Sequence, residues 1–408
     1  MPPSLRDRAS DIYRREGLWS LLRAAGHFGS KQALGRALLL EDTAAIRSRV
    51  SRVVDVSGRT ASSIAYDGQW PEPHPAQIEV ADGAAVATPR TVYEFGDAAV
   101  VGSRPVIEID RQFVVPSSIG PHACQTDRLY ESLSENVSVG TLCDVLTPGS
   151  GVDRTLDSAF LLTGRYTRYG HWTYEILPKL RVYEAYTQEL DRNPVILTGP
   201  GLTDWQRESL TMLGYPSDAI QEKASASEHV HVERLAVPSH RFLTSGHAPY
   251  YPSVRDLCWV RSRVRNAVDG TGRDGFGDRI YVSRADADQR QVRNRDAVLS
   301  IVSEYGFDVY EPGRFSFADQ VRLFAGADTI VGPFGAGISN VVFAEDADIV
   351  ELLASDERNL HHYVLASLLA LDYEYVECTW CDQPHVTRRN RDVIVDTAAL
   401  RDVLETVC

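Results

Sequence analysis

Lysine is nearly absent from this chain: only Lys31, Lys179 and Lys223 are lysines among its 42 basic residues. Acidic residues number 56, and the formal net charge is −14 at pH 7. Nucleic-acid binding requires a positively charged surface, so we expect no nucleic-acid partner. An acidic chain with so little lysine favours adaptation to high salt. GC-rich coding is the alternative, but it explains the missing lysines better than the acid excess.

Long apolar runs and a cysteine framework are also missing. No segment approaches the roughly 18 apolar residues of a membrane span, and the N-terminus lacks a signal-peptide pattern. We therefore expect a cytoplasmic protein. The six cysteines are too few for a disulfide scaffold. Cys378 and Cys381 form a single CxxC without the second pair of a zinc site, so they do not predict a metal centre.

The first 40 residues differ from the rest in charge. They contain seven basic and three acidic residues, a net charge of +4 within a chain of −14. Their apolar residues recur at roughly helical spacing. We therefore interpret residues 1–50 as a basic amphipathic extension. It suits the anionic inner face of a membrane, but a helix docked on the protein body explains the pattern equally well.

Residues 51–150 give few structural signals. Pro71, Pro73 and Pro75 interrupt the pattern, and short apolar pieces such as Ala99–Val101 and Gln112–Val115 predict strands. This region suggests no chemistry.

From about residue 158, strands and helices alternate, which predicts a parallel, doubly wound sheet. We assign residues 51–268 to an N-terminal Rossmann-like domain on this basis. The predicted strands are Ala159–Leu162, Pro194–Thr198 and Val230–Val237, and the predicted helices are Trp172–Leu190, Asp204–Leu213 and Val254–Val268.

A Gly-rich linker at 269–278 precedes a second alternation at 279–378, which predicts a second Rossmann-like domain facing the first across a cleft. We expect the tail, 379–408, to pack back on the first domain. The predicted strands are Arg279–Ser283, Phe307–Tyr310, Asp328–Val331, Asp348–Leu353 and Tyr373–Val376, and the predicted helices are Arg293–Tyr305, Phe317–Ala325 and Leu360–Leu371.

The first candidate site residues lie at the start of the helix predicted at Trp172–Leu190. His171 and Glu175 are four residues apart, so on a helix their side chains share a face. Pro178 lacks an N–H and should bend this helix, which would aim both side chains towards the cleft. Taken singly, a partly buried histidine and a solvated glutamate are the ordinary alternatives.

The second candidate set is the glycine-rich segment 332–340, directly after a predicted strand. Glycines there allow main-chain N–H groups to approach phosphate at a helix N-terminus. Glu351 ends the next strand, so a phosphate loop and a carboxylate that accepts a hydroxyl would lie on adjacent strands. A tightly packed turn without a ligand is the alternative.

The third set is basic. Arg284 follows the strand Arg279–Ser283, with Arg290, Arg293 and Asn294 close behind it. Cations at the carboxyl end of a strand could neutralise a diphosphate leaving group. Solvated helix arginines are the alternative, most of all for Arg290 and Arg293.

Together these motifs resemble glycosyltransferase family 61, which includes many bacterial and archaeal capsular polysaccharide biosynthesis proteins. One half contains His-Trp-x-x-Glu-x-Leu-Pro-Lys-Leu at 171–180. The other contains Ile-Tyr-Val-Ser-Arg from 280, Arg-x-x-x-Asn from 290, and Val-Gly-Pro-x-Gly-Ala-Gly-Ile-Ser-Asn at 331–340. The resemblance runs from about 165 to 376, roughly half of the chain.

The resemblance implies an α/β fold of the GT-B type and a nucleotide-sugar donor. It also implies a glycan or lipid-linked saccharide acceptor and transfer with inversion. No metal and no cofactor are expected. With the composition, it suggests a halophilic archaeal source.

Roles for single residues follow from the same resemblance. Glu175 is expected to be the catalytic base, with His171 as the second choice, and Trp172 and Lys179 are expected on the acceptor side. The expected donor-binding residues are Arg284, Arg290, Asn294, Gly335, Ala336, Gly337, Asn340 and Glu351, the last of these binding the ribose.

Two departures from the family pattern concern the donor side. Many relatives have histidine where this chain has Phe334, and the common Asn-Glu pair is here Asn294-Arg295. Phe334 favours one rival hypothesis, a non-catalytic protein that binds nucleotide sugars or glycans. A second rival is another enzyme class built on paired Rossmann halves, such as a nucleotide-sugar epimerase. The Asp-x-Asp sequences at 286–288 and 346–348 could indicate a metal–nucleotide site, but acidic composition generates such matches freely.

Overall fold

The computed structural model describes residues 35–40, 42–56, 91–119, 133–146, 151–164, 166–239, 254–268, 275–354 and 361–408. Within these ranges the strands form two separate sheets, of eight and six strands. Helices lie between the parallel strands of both sheets. The predicted α/β class is therefore confirmed, and the sheet is not continuous from one half to the other.

The strands of the first sheet are β1 (Val50–Asp55), β2 (Thr91–Val101), β3 (Val106–Ile109), β4 (Gln112–Val114), β5 (Arg154–Leu161), β6 (Val195–Thr198), β7 (Ile220–Glu222) and β8 (Val230–Pro238). Their order is β4-β3-β2-β8-β5-β6-β7, with β1 also paired to β2. Strands β8, β5, β6 and β7 run parallel, whereas β1 to β4 are antiparallel additions joined through β2 and β8.

Five α-helices of more than one turn belong to the described part of this half. One of them begins with a capping box, because Thr203 and Gln206 exchange side-chain and main-chain hydrogen bonds. The helices are α1 (Thr43–Ser48), α2 (Val139–Leu146), α3 (Lys179–Leu190), α4 (Asp204–Met212) and α5 (Val254–Ala267).

The elements of the second half are β9 (Arg279–Val282), α6 (Arg295–Glu304), β10 (Asp308–Tyr310), α7 (Phe317–Ala325), β11 (Thr329–Pro333), β12 (Asp348–Ala354), α8 (His361–Leu369), β13 (Tyr373–Trp380), β14 (Val393–Val395) and α9 (Thr397–Val407). Its sheet has the order β10-β9-β11-β12-β13-β14, parallel except for β14. Every residue of the central strand β11 is buried, as expected where helices cover both faces of a parallel sheet.

Strand order determines where each sheet can receive a ligand. In an open α/β sheet the crevice lies at the carboxyl ends of the two strands where the order reverses. That point falls between β5 and β8 in the first sheet and between β9 and β11 in the second. Thr163 and Arg284 come just after the ends of β5 and β9, so the predicted site segments begin at these two edges.

The C-terminal tail corrects one prediction. Residues 379–408 were expected to pack on the first domain, but β14 pairs with β13 and so extends the second sheet. Leu400 and Leu404 of α9 are buried in the same apolar cluster as Val298 and Val302 of α6. The tail supplies the apolar cover that this face of the second sheet needs.

The N-terminal extension is described only from residue 35. Leu38 and Leu39 are buried against the first sheet, and Leu40 N donates to Phe113 O at 2.8 Å. Residues 1–34 lie outside the described residues, and so do residues 269–274 of the expected linker. Within the part of the chain that the structure describes, no helix is both long and apolar enough to span a bilayer.

The two halves share one apolar core. A single cluster joins buried residues of α5, such as Leu257 and Val260, to Phe317 and Phe343 of the second half. Polar contacts reinforce this junction: the Glu208 carboxylate accepts hydrogen bonds from the main-chain N–H groups of Phe317 and Ala318, at 2.7 and 3.2 Å. A first-half side chain thus caps the helix α7 of the second half.

Candidate active site

The predicted site helix contains an unexpected π-helical segment. After one α-turn at Tyr169–His171, residues Trp172–Ile176 form a π-helix, and Leu177 N donates to Trp172 O at 2.9 Å. Pro178 lies just before α3 and has no N–H to continue an α-helical pattern. The helix is therefore interrupted before Pro178, as expected, but by π-winding. Such segments are rare and frequent at functional sites.

His171 and Glu175 share a face of this segment. His171 Nδ1 lies 3.0 Å from Glu175 Oε2, with the histidine side chain 22% exposed and the glutamate side chain 6% exposed. A carboxylate at this distance accepts the Nδ1 proton, so the other ring nitrogen, Nε2, is the acceptor atom of the neutral tautomer. The buried member of the pair thus orients the more exposed one.

Among the residues that the structure describes, three rings lie close to the His171 imidazole. Ring centroids of Tyr166, Tyr174 and His361 lie 5.0, 5.7 and 6.3 Å from that of His171. Tyr166 and Tyr174 belong to the first half, whereas His361 opens α8 of the second half. His361 was absent from the sequence-based candidates, because nothing in its local sequence shows that it faces His171.

The two residues predicted on the acceptor side have other surroundings. Trp172 is 2% exposed, and its indole N–H donates to Ser209 Oγ at 2.9 Å, which makes it a core residue. Lys179 Nζ donates to Thr163 O at 2.5 Å and so ties α3 to the end of β5. Burial lowers the pKa of Lys179, and nearby Glu175 partly opposes this effect. Trp172 therefore presents no open face to an acceptor, whereas Lys179 is partly exposed with its ammonium group engaged by Thr163.

Arg284 lies against the glycine-rich segment. A Cβ added to Gly335 would overlap the Arg284 guanidinium, so this glycine permits close packing of main chain and cation. Burial, followed by repulsion from Arg290, lowers the pKa of Arg284 to about 10, and Asp286 opposes this effect. Among the described residues, Arg284 Nε is buried without a hydrogen-bond partner. These features suit a site for an anion.

Arg290 is held in an uncommon backbone conformation beside Arg284. Its φ is 59°, in the left-handed region, and its guanidinium carbon lies 5.5 Å from the centroid of the Phe334 ring. Non-glycine residues adopt this conformation at a cost that functional sites often retain. The residue that departs from the family pattern, Phe334, therefore serves as a stacking surface for a cation.

The glycine-rich segment opens a short 3₁₀ helix, Ile338–Phe343, instead of a long α-helix. Cβ atoms at Gly332 and Gly337 would lie 2.8 Å from Val282 Cβ and Cγ1 respectively, so both glycines are needed for packing against β9. Ala336 is exposed. Within the described structure, the N–H groups of 335–337 make no main-chain hydrogen bonds. These N–H groups remain available to an anion, but no long helix follows them to add its dipole.

Both asparagines predicted to bind the donor hold structural elements together. Asn340 is fully buried, accepts from Tyr169 OH at 2.6 Å and donates to Gln320 Oε1 at 3.0 Å. Asn294 donates to Val395 O at 2.8 Å and accepts from Val395 N at 3.0 Å. Asn340 thus joins the two halves, and Asn294 joins the tail strand to α6.

Glu351 belongs to a buried polar network. Its side chain is fully buried, and its two oxygens lie 2.6 Å from His362 Nδ1 and 2.6 Å from Tyr373 OH. His362 Nε2 lies 3.3 Å from Ser339 Oγ. Both Glu351 oxygens are therefore engaged, which argues against the expected direct contact with a ribose. His362 is not identifiable from the sequence, because the network depends on strand order.

The two Asp-x-Asp sequences lie apart from each other. Asp286 follows β9 and lies in the Arg284 turn, near Gly313. Asp348 begins β12, and the amino end of a parallel strand lies at the opposite edge of the sheet from the end of β9. Only the first sequence adjoins the candidate site.

The residue sets of the two halves meet. A Cβ on Gly170 would lie 2.7 Å from Ser339 Oγ, so the turn before His171 lies directly on the glycine-rich segment. Tyr169 and Asn340 share the hydrogen bond described above. The structure therefore brings together the His171–Glu175 pair, the glycine-rich segment and, through Gly335, Arg284.

Comparison with known proteins agrees with the resemblance inferred from the motifs. Residues 169–350 match the model of the Glycosyltransferase 61 family, just under half of the chain. The match begins at the turn before His171 and ends one residue before Glu351, so it spans both residue sets. No curated protein matches the chain. The family match indicates a glycosyltransferase.

Proposed function

We propose that this protein transfers a sugar from a nucleotide-sugar donor to a hydroxyl group of a glycan or lipid-linked saccharide, with inversion at the anomeric carbon. One observation carries this proposal. A histidine–carboxylate pair in the first half meets an arginine-lined, glycine-rich turn in the second, within the segment that matches the glycosyltransferase model. The proposed architecture is of the GT-B type, with the acceptor bound by the first half and the donor by the second.

His171 is the proposed base, which reverses the order expected from the sequence. The acceptor oxygen forms a bond to the anomeric carbon, its proton passes to His171 Nε2, and the bond between that carbon and the phosphate oxygen breaks. Glu175 lies behind the imidazole, holds its Nδ1–H and stabilises the imidazolium that forms. The greater exposure of His171 favours this assignment over Glu175 itself.

Arg284, Arg290 and the free N–H groups of 335–337 are the proposed ligands of the departing diphosphate. Burial, followed by repulsion from Arg290, lowers the pKa of Arg284, and a bound polyanion would relieve this repulsion. Positive charge fixed at the leaving group stabilises the transition state most, because negative charge develops there. Asn294, Asn340 and Glu351 would support this turn from behind instead of touching the donor.

We further propose that the protein acts at the cytoplasmic face of a membrane that holds a lipid-linked acceptor. The support is the +4 charge and apolar spacing of the first 40 residues. Residues 35–40 already pack on the body, which leaves 1–34 as the candidate membrane-binding part.

Labelled nucleotide sugars test the reaction class. We expect a donor to be consumed only when a saccharide acceptor is present, with release of a nucleoside diphosphate and formation of the inverted glycoside, checked by NMR. A screen of nucleotide sugars for thermal stabilisation would select the donor first. Conversion of the donor to an isomer without acceptor would indicate an epimerase. Binding without turnover across a broad acceptor panel would indicate a non-catalytic protein.

A further inference from the structure

His361 lies where the two halves meet, yet the function proposed above assigns it no role. It is the first residue of α8, the helix that follows β12. Its ring centroid is 6.3 Å from that of His171 and 6.1 Å from that of Tyr174, with the two imidazoles edge to face. A partly exposed imidazole of the second half therefore faces the proposed base of the first.

The neighbouring residue fixes this position. His362 is buried with its Nδ1 2.6 Å from Glu351, whose other oxygen accepts a hydrogen bond from Tyr373. The hydrogen bonds of a buried, fully paired network hold main chain as well as side chains. Because His361 adjoins His362 in the chain, the network also anchors the start of α8.

The same histidine connects His361 to the proposed diphosphate site. The His362 ring lies 5.3 Å from that of Phe334, on which Arg290 stacks. His362 Nε2 also approaches Ser339 at the end of the glycine-rich segment. His361 is thus one residue from a side chain packed on the anion-binding turn, and its own ring faces the proposed base.

We propose that His361 contacts the donor at its sugar-linked phosphate, the β-phosphate of a nucleoside diphosphate. This inference rests on the proposed function and adds a residue to it. In an inverting displacement the base and the departing oxygen lie on opposite sides of the anomeric carbon, only a few ångströms apart. A group of the second half that faces His171 is placed for the phosphate nearest that carbon. An imidazole N–H is a suitable donor to a phosphate oxygen.

A nucleoside monophosphate lacks the β-phosphate, so the affinities of a diphosphate and a monophosphate of the same nucleoside can be compared to isolate this contact. Calorimetric titration would compare UDP with UMP, and likewise the guanine, cytosine, adenine and thymine pairs, on the full-length protein. We expect the wild type to prefer the diphosphate of one base. His361→Ala should bind that diphosphate about 10- to 100-fold more weakly and the monophosphate unchanged. His361→Gln, which keeps an N–H donor, should lose less.

His231→Ala is the matched control. That histidine is similarly exposed, at 27%, but lies on β8 of the first sheet and should leave both affinities unchanged. If His361→Ala keeps the wild-type preference for the diphosphate, or weakens both nucleotides equally while remaining folded, the assignment is wrong. If no nucleotide binds the wild type, the proposed function itself fails, and this inference fails with it.

Discussion

Gly335 shows how a single hydrogen atom in place of a side chain shapes the candidate donor site. The Arg284 guanidinium occupies the space that a Cβ would need. We therefore expect Gly335→Ala to displace Arg284 and weaken binding of a nucleoside diphosphate by about tenfold, the scale of one charge-assisted hydrogen bond. Titration with the preferred nucleotide measures this effect.

Gly151→Ala is the control for that experiment, since a Cβ there meets nothing within 4 Å. Unchanged diphosphate affinity in Gly335→Ala would show that Arg284 does not bind the donor in the position described. A similar loss in both variants would instead indicate a general effect on the fold.

At the scale of residues, sequence reasoning succeeded where contacts are local and failed where they are not. The His171–Glu175 contact follows from a spacing of four on a helix. The partners of Asn340 and Glu351 come from elements distant in the chain, such as Tyr169 and Tyr373. The local sequence around a polar residue is the same whether that residue binds a substrate or a buried side chain.

Substitution of Asn294 can distinguish a structural role of this residue from donor binding. Its amide makes two hydrogen bonds with the main chain of Val395 and so holds the tail strand. Asn294→Ala should lower the free energy of unfolding by about 1–3 kcal/mol, because the partners would lose their hydrogen bonds. Nucleotide affinity should stay within twofold. Urea denaturation and titration on the same preparation decide between the roles, and a large loss of affinity without loss of stability would restore the donor-binding role.

A hydrogen-bonded contact between two helices also connects the halves. Glu208 of α4 accepts two N–H groups at the start of α7, across the junction of the halves. Replacing a capping acceptor costs about 0.5–2 kcal/mol. We expect Glu208→Gln to lower the free energy of unfolding by this amount, measured by urea denaturation.

Glu189→Gln is the matched control for the capping contact. Glu189 is exposed on α3. It should therefore change stability by less than about 0.5 kcal/mol. Equal stability of the two variants would mean that the junction does not depend on this cap.

Element prediction followed the strength of the periodic signal. The helix Phe317–Ala325 was predicted with the bounds that the structure gives, and the parallel strands of the second sheet agree within a few residues. The edge strand Ile220–Glu222 was missed because it is short, with no buried residue to produce an apolar pattern. Strand β2 was predicted only at its end, although it runs from Thr91 to Val101.

For the whole molecule, sequence indicated two α/β halves but not the way the C-terminal segment completes the second. Alternation of strands and helices predicts parallel sheets, but it does not state which sheet a terminal strand joins. Val393–Val395 joins β13, and α9 covers the same sheet. In the antiparallel part of the first sheet, strands were predicted at Ala99–Val101 and Gln112–Val115, within or overlapping β2 and β4. Their antiparallel pairing through β3 was not predicted, because a strand pattern does not state its partner.

The N-terminal extension is expected to be dispensable for folding. Removal of residues 1–34 should leave the described fold intact, since Leu38 to Leu40 still pack on the first sheet. If the extension binds membranes, the full chain should sediment with anionic vesicles at low salt and the shortened chain should not. Failure of the full chain to bind even at low salt would favour a docked extension.

The proposed base and the proposed leaving-group site lie in different halves, and two substitutions test this division of roles in one measurement. Steady-state transfer should show that His171→Ala lowers kcat by about 10²–10⁴-fold with donor affinity nearly unchanged. Added imidazole should restore part of the rate. Arg284→Gln should weaken binding of donor and of nucleoside diphosphate. Transfer at the wild-type rate by His171→Ala would show that His171 is not the base. Donor affinity in Arg284→Gln equal to that of the wild type would show that Arg284 does not bind the diphosphate. Either result would contradict the proposed division of roles between the halves.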